Sequence, residues 1–265
     1  MIGVIERLPT LKRIASLVLF VAVLGLGQDK PEFTVDQVVE NHVQALGGIE
    51  KMHAIHSFSA TGQASMMDGR IQAPMVMQMK RPSSMRVEMM VRNKQIVQAF
   101  DGNTAWMINA ATGSDRAKRA TAEEAEEMKN SSDIDFSSLV DYRAKGNTVE
   151  LAGLEDIDGR AAFKLKITKR NGRVEYDYLD SKTFLPVKTA TKRKQMGTEV
   201  TIEAYPSDFR PVSGVLFPFQ VDQKRDGKLL VRLTIEKVDV NTDLTDAVFR
   251  IPEAPAEKSI PGKNF

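Results

Sequence analysis

The chain has 265 residues, 42% of them apolar and 27% charged, with no cysteine. That length and composition fit one large folded domain, and they exclude a disulfide framework, a thiolate metal site, a cysteine nucleophile and attachment through a lipid-modified cysteine. The formal charge is +2, and Arg7, Lys12 and Arg13 against Glu6 account for all of it. The rest of the chain is balanced, so no nucleic-acid partner is expected, because binding a phosphate backbone draws on a basic excess.

Residues 1–27 read as an export signal. A basic segment ends at Lys12 and Arg13, an apolar core runs from Ile14 to Leu24, and Gly25 and Gly27 supply the small residues that precede cleavage. The alternative is an uncleaved anchor, but the apolar run is shorter than the ~20 residues that a spanning helix needs. A soluble periplasmic chain starting near Gln28 is expected.

Thr34 opens an amphipathic helix in which Val35, Val38, Val39, His42, Val43 and Leu46 recur at helical spacing. Gln37 completes a capping box, and Gly47-Gly48 ends the helix. A short second turn, Ile49 to Ile55, follows. From Ser57 the period becomes two, with Phe58, Ala60, Gly62, Ala64 and Met66 on one face. The same alternation returns in 71–79, 85–91, 161–167, 174–178, 200–204 and 229–235. Met67-Asp68-Gly69, Asp101-Gly102-Asn103, Asp158-Gly159, Asn171-Gly172 and Asp226-Gly227 mark hairpins between such runs. About ten strands in an antiparallel meander are expected.

Between Ala120 and Gly146 the pattern turns helical. Thr121 and Glu124 form a second capping box for an acidic helix through Met128, and a second helix carries Ile134, Phe136, Leu139, Val140 and Tyr142. The acidic helix reads either as a solvated surface or as part of a lid. Residues 253–265 read as a flexible tail, leaving 28–252 as the domain. With so few helices, a sheet of this size must either fold into a sandwich or curl into an incomplete barrel.

Lys80-Arg81-Pro82 leading into Met85-Arg86-Val87-Glu88, followed by Asp101-Gly102-x-Thr104-x-Trp106, resembles the LolA/LolB-like lipoprotein-localisation proteins of the bacterial periplasm. The resemblance spans about residues 34–110. It implies a mainly β fold, an incomplete antiparallel β-barrel with an N-terminal helix and a helical lid over a cavity for acyl chains. By position it matches Arg81 to an arginine near the lid and Trp106 to a hairpin tryptophan. Asn103 stands where the family has lysine, which puts docking to the usual partners in question.

Eight of the 13 methionines fall between Met66 and Met90. Alternation turns Met75, Met77, Met79, Met85 and Met89 inward, either to line an adaptable cavity or as ordinary core. With Phe58, Trp106 and the lid residues Phe136, Leu139 and Val140 they make the candidate cavity, and Arg81 is a candidate lid latch through its five donors. The alternative for Arg81 is a solvated edge-strand arginine. His53-x-x-His56 is better read as structural or surface histidines than as a metal pair. Asp133 and Asp135 read as charge at a helix start. No metal or cofactor is expected, and no motif for nucleophilic, metalloprotease or phosphate chemistry occurs. The expected function is a non-enzymatic, monomeric carrier of lipoprotein acyl chains or other lipids, working between membrane donor and acceptor proteins toward the outer membrane. A periplasmic sensor on the same fold and an unrecognised hydrolase are the alternatives.

Overall fold

The computed structural model describes residues 33–135, 137–195 and 197–253; the expected signal segment and nearly all of the expected tail lie outside them. Helix α1 (Val35–Ala45) begins as its sequence demands. Thr34 N–H donates to Gln37 Oε1 at 2.8 Å, and Gln37 N–H donates back to Thr34 Oγ1 at 3.3 Å. Gly47 and Gly48 then turn the chain into α2 (Ile49–His53). Gly47 has φ +124°, and a Cβ there would stand 2.2 Å from the Gly214 carbonyl oxygen. Beside that contact, Leu216 N–H donates to the Leu46 carbonyl at 2.8 Å. Gly47→Ala is therefore expected to destabilise the fold by roughly 1–3 kcal/mol. Urea unfolding checks this, and an unchanged midpoint would show that the contact relaxes freely.

Thirteen strands follow rather than about ten: β1 (Ser57–Met66), β2 (Ile71–Lys80), β3 (Ser84–Val91), β4 (Lys94–Asp101), β5 (Ala105–Asn109), β6 (Ser114–Arg119), β7 (Thr148–Ile157), β8 (Arg160–Thr168), β9 (Val174–Asp180), β10 (Pro186–Gln195), β11 (Thr198–Val212), β12 (Val215–Arg225) and β13 (Lys228–Val240). They form one antiparallel sheet in the order β6-β5-β4-β3-β2-β1-β13-β12-β11-β10-β9-β8-β7. Each strand pairs with its sequence neighbour except at the centre, where β1 meets β13, and at the two edges, β6 and β7, which do not pair. The sheet is a curved, incomplete barrel. All five glycine-marked turns are hairpins.

The chain crosses from one sheet edge to the other through residues 120–147. This crossing begins with α3 (Ala122–Ser131), whose capping box is formed by Thr121 and Glu124. The expected second helix is absent: residues 132–135 and 137–147 run through turns and irregular backbone. Local polar side chains capture the backbone there. Asp133 Oδ1 accepts from Asp135 N–H at 3.2 Å, Ser137 Oγ accepts from Leu139 N–H at 3.2 Å, and Asp141 adopts φ +51°. Ser and Asp compete with helical hydrogen bonds in this way.

One sheet face is covered by the helices and this crossing. On it, Phe58, Ala60, Met79, Met85, Phe100 and Phe217 are buried beneath Leu46, Met52, Ile55, Met128, Ile134 and Val140. Beside them, Phe163, Leu165, Ile167 and Leu179 pack against Val38, Val39, Leu139 and Tyr142. Burying such side chains contributes on the order of 1.5–3 kcal/mol each, so the crossing is held by apolar contact along its length.

Candidate functional site

The helix-covered face is continuous across β1 to β5. Register places Phe58, Met79, Met85, Phe100 and Ala105 in one row, Met77 opposite Val87, and Met75 opposite Met89. Met75, Met79 and Met85 are buried, and Met77 and Met89 are half-buried. Between α3 and this face lies a cavity of about 560 Å³. Met85, Met107 and Met128 supply its apolar wall, Gln98, Thr121 and Glu124 its polar one, and it reaches Arg193 on β10.

The candidate cavity residues are thus divided. Phe58, Met79, Met85 and Val140 share one packed cluster, with Met77 against it, while Met75 and Met89 continue the same face further along the strands. Leu139 belongs to the adjacent cluster with Val38 and Phe163. Phe136 lies outside the described residues. Trp106 requires a correction: it pairs with Ala99, one residue out of step with the Phe100 row, and so occupies the opposite face. There it is 1% exposed beside Val97 and Ala99, donates from Nε1 to the Phe249 carbonyl at 2.7 Å, and lies beneath the Arg86 guanidinium.

Arg81 joins α2 to the crossing. Its Nε donates to the Ile55 carbonyl at 2.9 Å, and one terminal nitrogen donates to the Met52 carbonyl at 3.2 Å and to Asp135 Oδ1 at 2.5 Å. Lys145 bridges Asp133 at 2.6 Å and Asp135 at 3.0 Å, so both acids bind cations rather than start a helix. Burial raises the pKa of Asp135, but the hydrogen bonds and charges of Arg81 and Lys145 outweigh it and hold the carboxyl below its ordinary value. At the other end, the acidic face of α3 docks on the sheet. Glu127 pairs with Arg173 and with Arg193, each at 2.9 Å, and Glu126 accepts from Asn171 at 2.6 Å.

His42 and His53 are both structural links. His42, 1% exposed, donates from Nδ1 to the Phe184 carbonyl at 2.9 Å, and its Nε2 takes the Ser137 hydroxyl at 3.0 Å. Burial pulls its pKa down to about 4, against the raising effect of the Phe184 carbonyl. Exposed His53 contacts Asp141 at 2.6 Å. Among the described residues, no three His, Asp or Glu side chains converge as a metal site, and no helix is long and apolar enough to cross a membrane.

One residue escaped the sequence reading. Asp177 is 7% exposed on the helix-covered face of β9, and burial, with a smaller push from Glu175, raises its pKa to about 7 despite Lys169. The signal was available in the Asn171-Gly172 hairpin, whose register sets Asp177 opposite the buried Leu165.

The architecture has solved counterparts. A DUF1329 family protein from Desulfovibrio piger superposes with TM-score 0.55 at 13% identity, covering 82% of this chain and 97% of that one. A LolA superfamily protein from Nitrosomonas europaea gives TM-score 0.53 at 12% identity, covering 82% and 98%. The chain shares their fold. A domain assigned to outer-membrane lipoprotein sorting from Vibrio parahaemolyticus gives TM-score 0.52 at 12% identity, covering 80% and 94%. No family model and no curated protein sequence matches the chain.

Proposed function

We propose that this protein is an exported, non-enzymatic carrier that shelters acyl chains of lipoproteins or other lipids on the helix-covered face of its sheet. The observation that carries this reading is the cavity of about 560 Å³ between α3 and the Met85–Met107 wall. Above it, α3 is moored to the sheet by the buried Met128 and by polar pairs at Glu126 and Glu127. Such pairs separate at lower cost than an apolar interface, because water replaces their partners. The half-buried Met77 and Met89 extend the apolar surface beyond the packed cluster, and a thioether adapts to chains of varied shape. A fold shared with a LolA superfamily protein and a lipoprotein-sorting domain is consistent with this role, and the reading places the protein in the periplasm. Membrane proteins that donate and accept the lipid are its partners in this reading, and the carrier acts as a monomer.

Met77→Trp tests the proposal. If the face accommodates a ligand, the ring enters that space, lipid retention is lost and the thermal midpoint barely changes. If Met77 is ordinary core, the ring overpacks it, destabilising by roughly 1–3 kcal/mol. A large fall in midpoint, with no lipid ever retained by the parent protein, would overturn the carrier reading.

A further inference from the structure

A second cavity, of about 90 Å³, lies between α1, α2, the crossing and strands β9 to β12. Its walls are mostly apolar, with Leu46, Ile55, Ile134, Val215 and Phe217 among them. Four polar side chains reach into it besides Thr189, and three of these are committed. His42 uses both ring nitrogens, Ser137 donates to His42 and accepts from Leu139 N–H, and Asp135 holds Arg81 and Lys145. The fourth, Asp177, makes no hydrogen bond or ion pair among the described residues. Thr189, its cross-strand partner on β10, has a hydroxyl equally free of partners there.

Asp177 and Thr189 also line an adjoining cavity of about 170 Å³ that contains Ser138, Arg173, Glu175 and Arg193. The charges nearest Asp177 are otherwise engaged: Lys169 pairs with Glu175 at 3.2 Å and donates to Ser138 at 2.6 Å, and Arg173 and Arg193 hold Glu127. Leaving a buried carboxyl unmatched costs stability, and a ligand group supplying its missing partner recovers that cost.

We propose that Asp177, with Thr189, binds the carbonyl end of an acyl ligand, a carboxylic acid or its ester; the cavity of about 90 Å³ takes that end alone, and the hydrocarbon part continues along the helix-covered face. This assignment rests on the carrier reading and adds to it the place of the polar end. A protonated Asp177 donates its O–H to the carbonyl oxygen, and the Thr189 hydroxyl can donate beside it. With the acid pushed up to about 7, the donor form dominates below neutrality and is lost above it. His42 stays neutral through this range, and Asp135, held ionised by its cations, does not compete for the proton.

Methyl laurate, an ester that does not titrate, is a suitable probe, with its carbonyl labelled with carbon-13. The parent is expected to bind it about tenfold more tightly at pH 5.5 than at pH 8.5, the worth of one buried hydrogen bond. Asp177→Asn, whose amide donates at either pH, should bind without pH dependence. Asp177→Leu should bind about tenfold more weakly than the parent at pH 5.5, with the carbonyl resonance moved toward its value in hydrocarbon. Both variants remove a buried, unpartnered acid, so the fold is retained. If Met77→Trp abolishes binding while Asp177→Leu leaves affinity and resonance unchanged, the carbonyl site is overturned and the carrier reading stands. No binding of the ester by the parent at either pH would overturn both.

Discussion

Asp177→Asn is expected to gain stability relative to the parent as pH rises from about 4 to about 7, and to hold that gain above pH 7. In the folded parent, Asp177 keeps its proton up to about 7, whereas the unfolded chain releases it near the ordinary aspartate value of 3.8. Between those values the folded state binds more protons, so this residue's contribution to stability is fully present at low pH and is lost as pH rises. His42 acts in the opposite sense. Its folded pKa of about 4 lies below its ordinary 6.5, so its contribution is present above 6.5 and is lost as pH falls toward 4. The two oppose one another over much of the acid range, and the parent profile alone cannot separate them. Substituting Asn removes only the first, and the difference between the variant and the parent should reach on the order of 4 kcal/mol by pH 8. Urea unfolding of both proteins at pH 4, 6 and 8 reads this directly. A difference that stays constant over that range would mean that Asp177 titrates like a solvated carboxyl.

Arg81→Leu is expected to lower the free energy of unfolding by about 2–4 kcal/mol, since it strips three acceptors at once. The Asp135 side chain is 3% exposed and would keep only Lys145, while the Met52 and Ile55 carbonyls would lose their side-chain donor. Arg81→Lys, a point charge without the planar fork, should recover part of the loss but not all three contacts. As the arginine joins α2 to the crossing, lipid release from the leucine variant should also accelerate. Chemical denaturation and lipid-transfer rates check the two consequences separately. A stability within about 0.5 kcal/mol of the parent would show that the guanidinium is a surface group.

Period and turn chemistry made much of this architecture legible. The Thr34 and Thr121 capping boxes are where the sequence puts them, because a side-chain oxygen at the N-cap and a Gln or Glu three residues later are local features. The five marked hairpins were equally local, whereas the glycine turns at Gly197 and Gly214 went unmarked. The turn between β3 and β4 was not legible in that way, since Arg92 and Asn93 take φ of +46° and +60° without a glycine to announce them. Facing posed a different problem. Alternation in 174–178 picks out Val174, Tyr176 and Tyr178 as an apolar set, yet pairing with β8 turns Glu175 and Asp177 toward the helices. Trp106 was misplaced for the same reason, because the turn after Asp101 sets Ala105, not Trp106, opposite Phe100. In the crossing, the apolar spacing of Ile134, Leu139 and Val140 suggests a helix, but Asp133, Ser137 and Asp141 supply competing local bonds and turn geometry. Arg81 could be singled out from its segment, whereas Asp135 could be recognised as its partner only once the chain had crossed the sheet.

The most direct test of the carrier account is native mass spectrometry of the detergent-free protein after incubation with phospholipid vesicles and separation from them, with Met77→Trp carried in parallel. The account predicts a one-to-one lipid adduct on the parent, extractable into organic solvent, and a bare polypeptide mass for the folded variant. A bare mass for both proteins, or an equal adduct on both, would contradict the assignment of lipid to the helix-covered face.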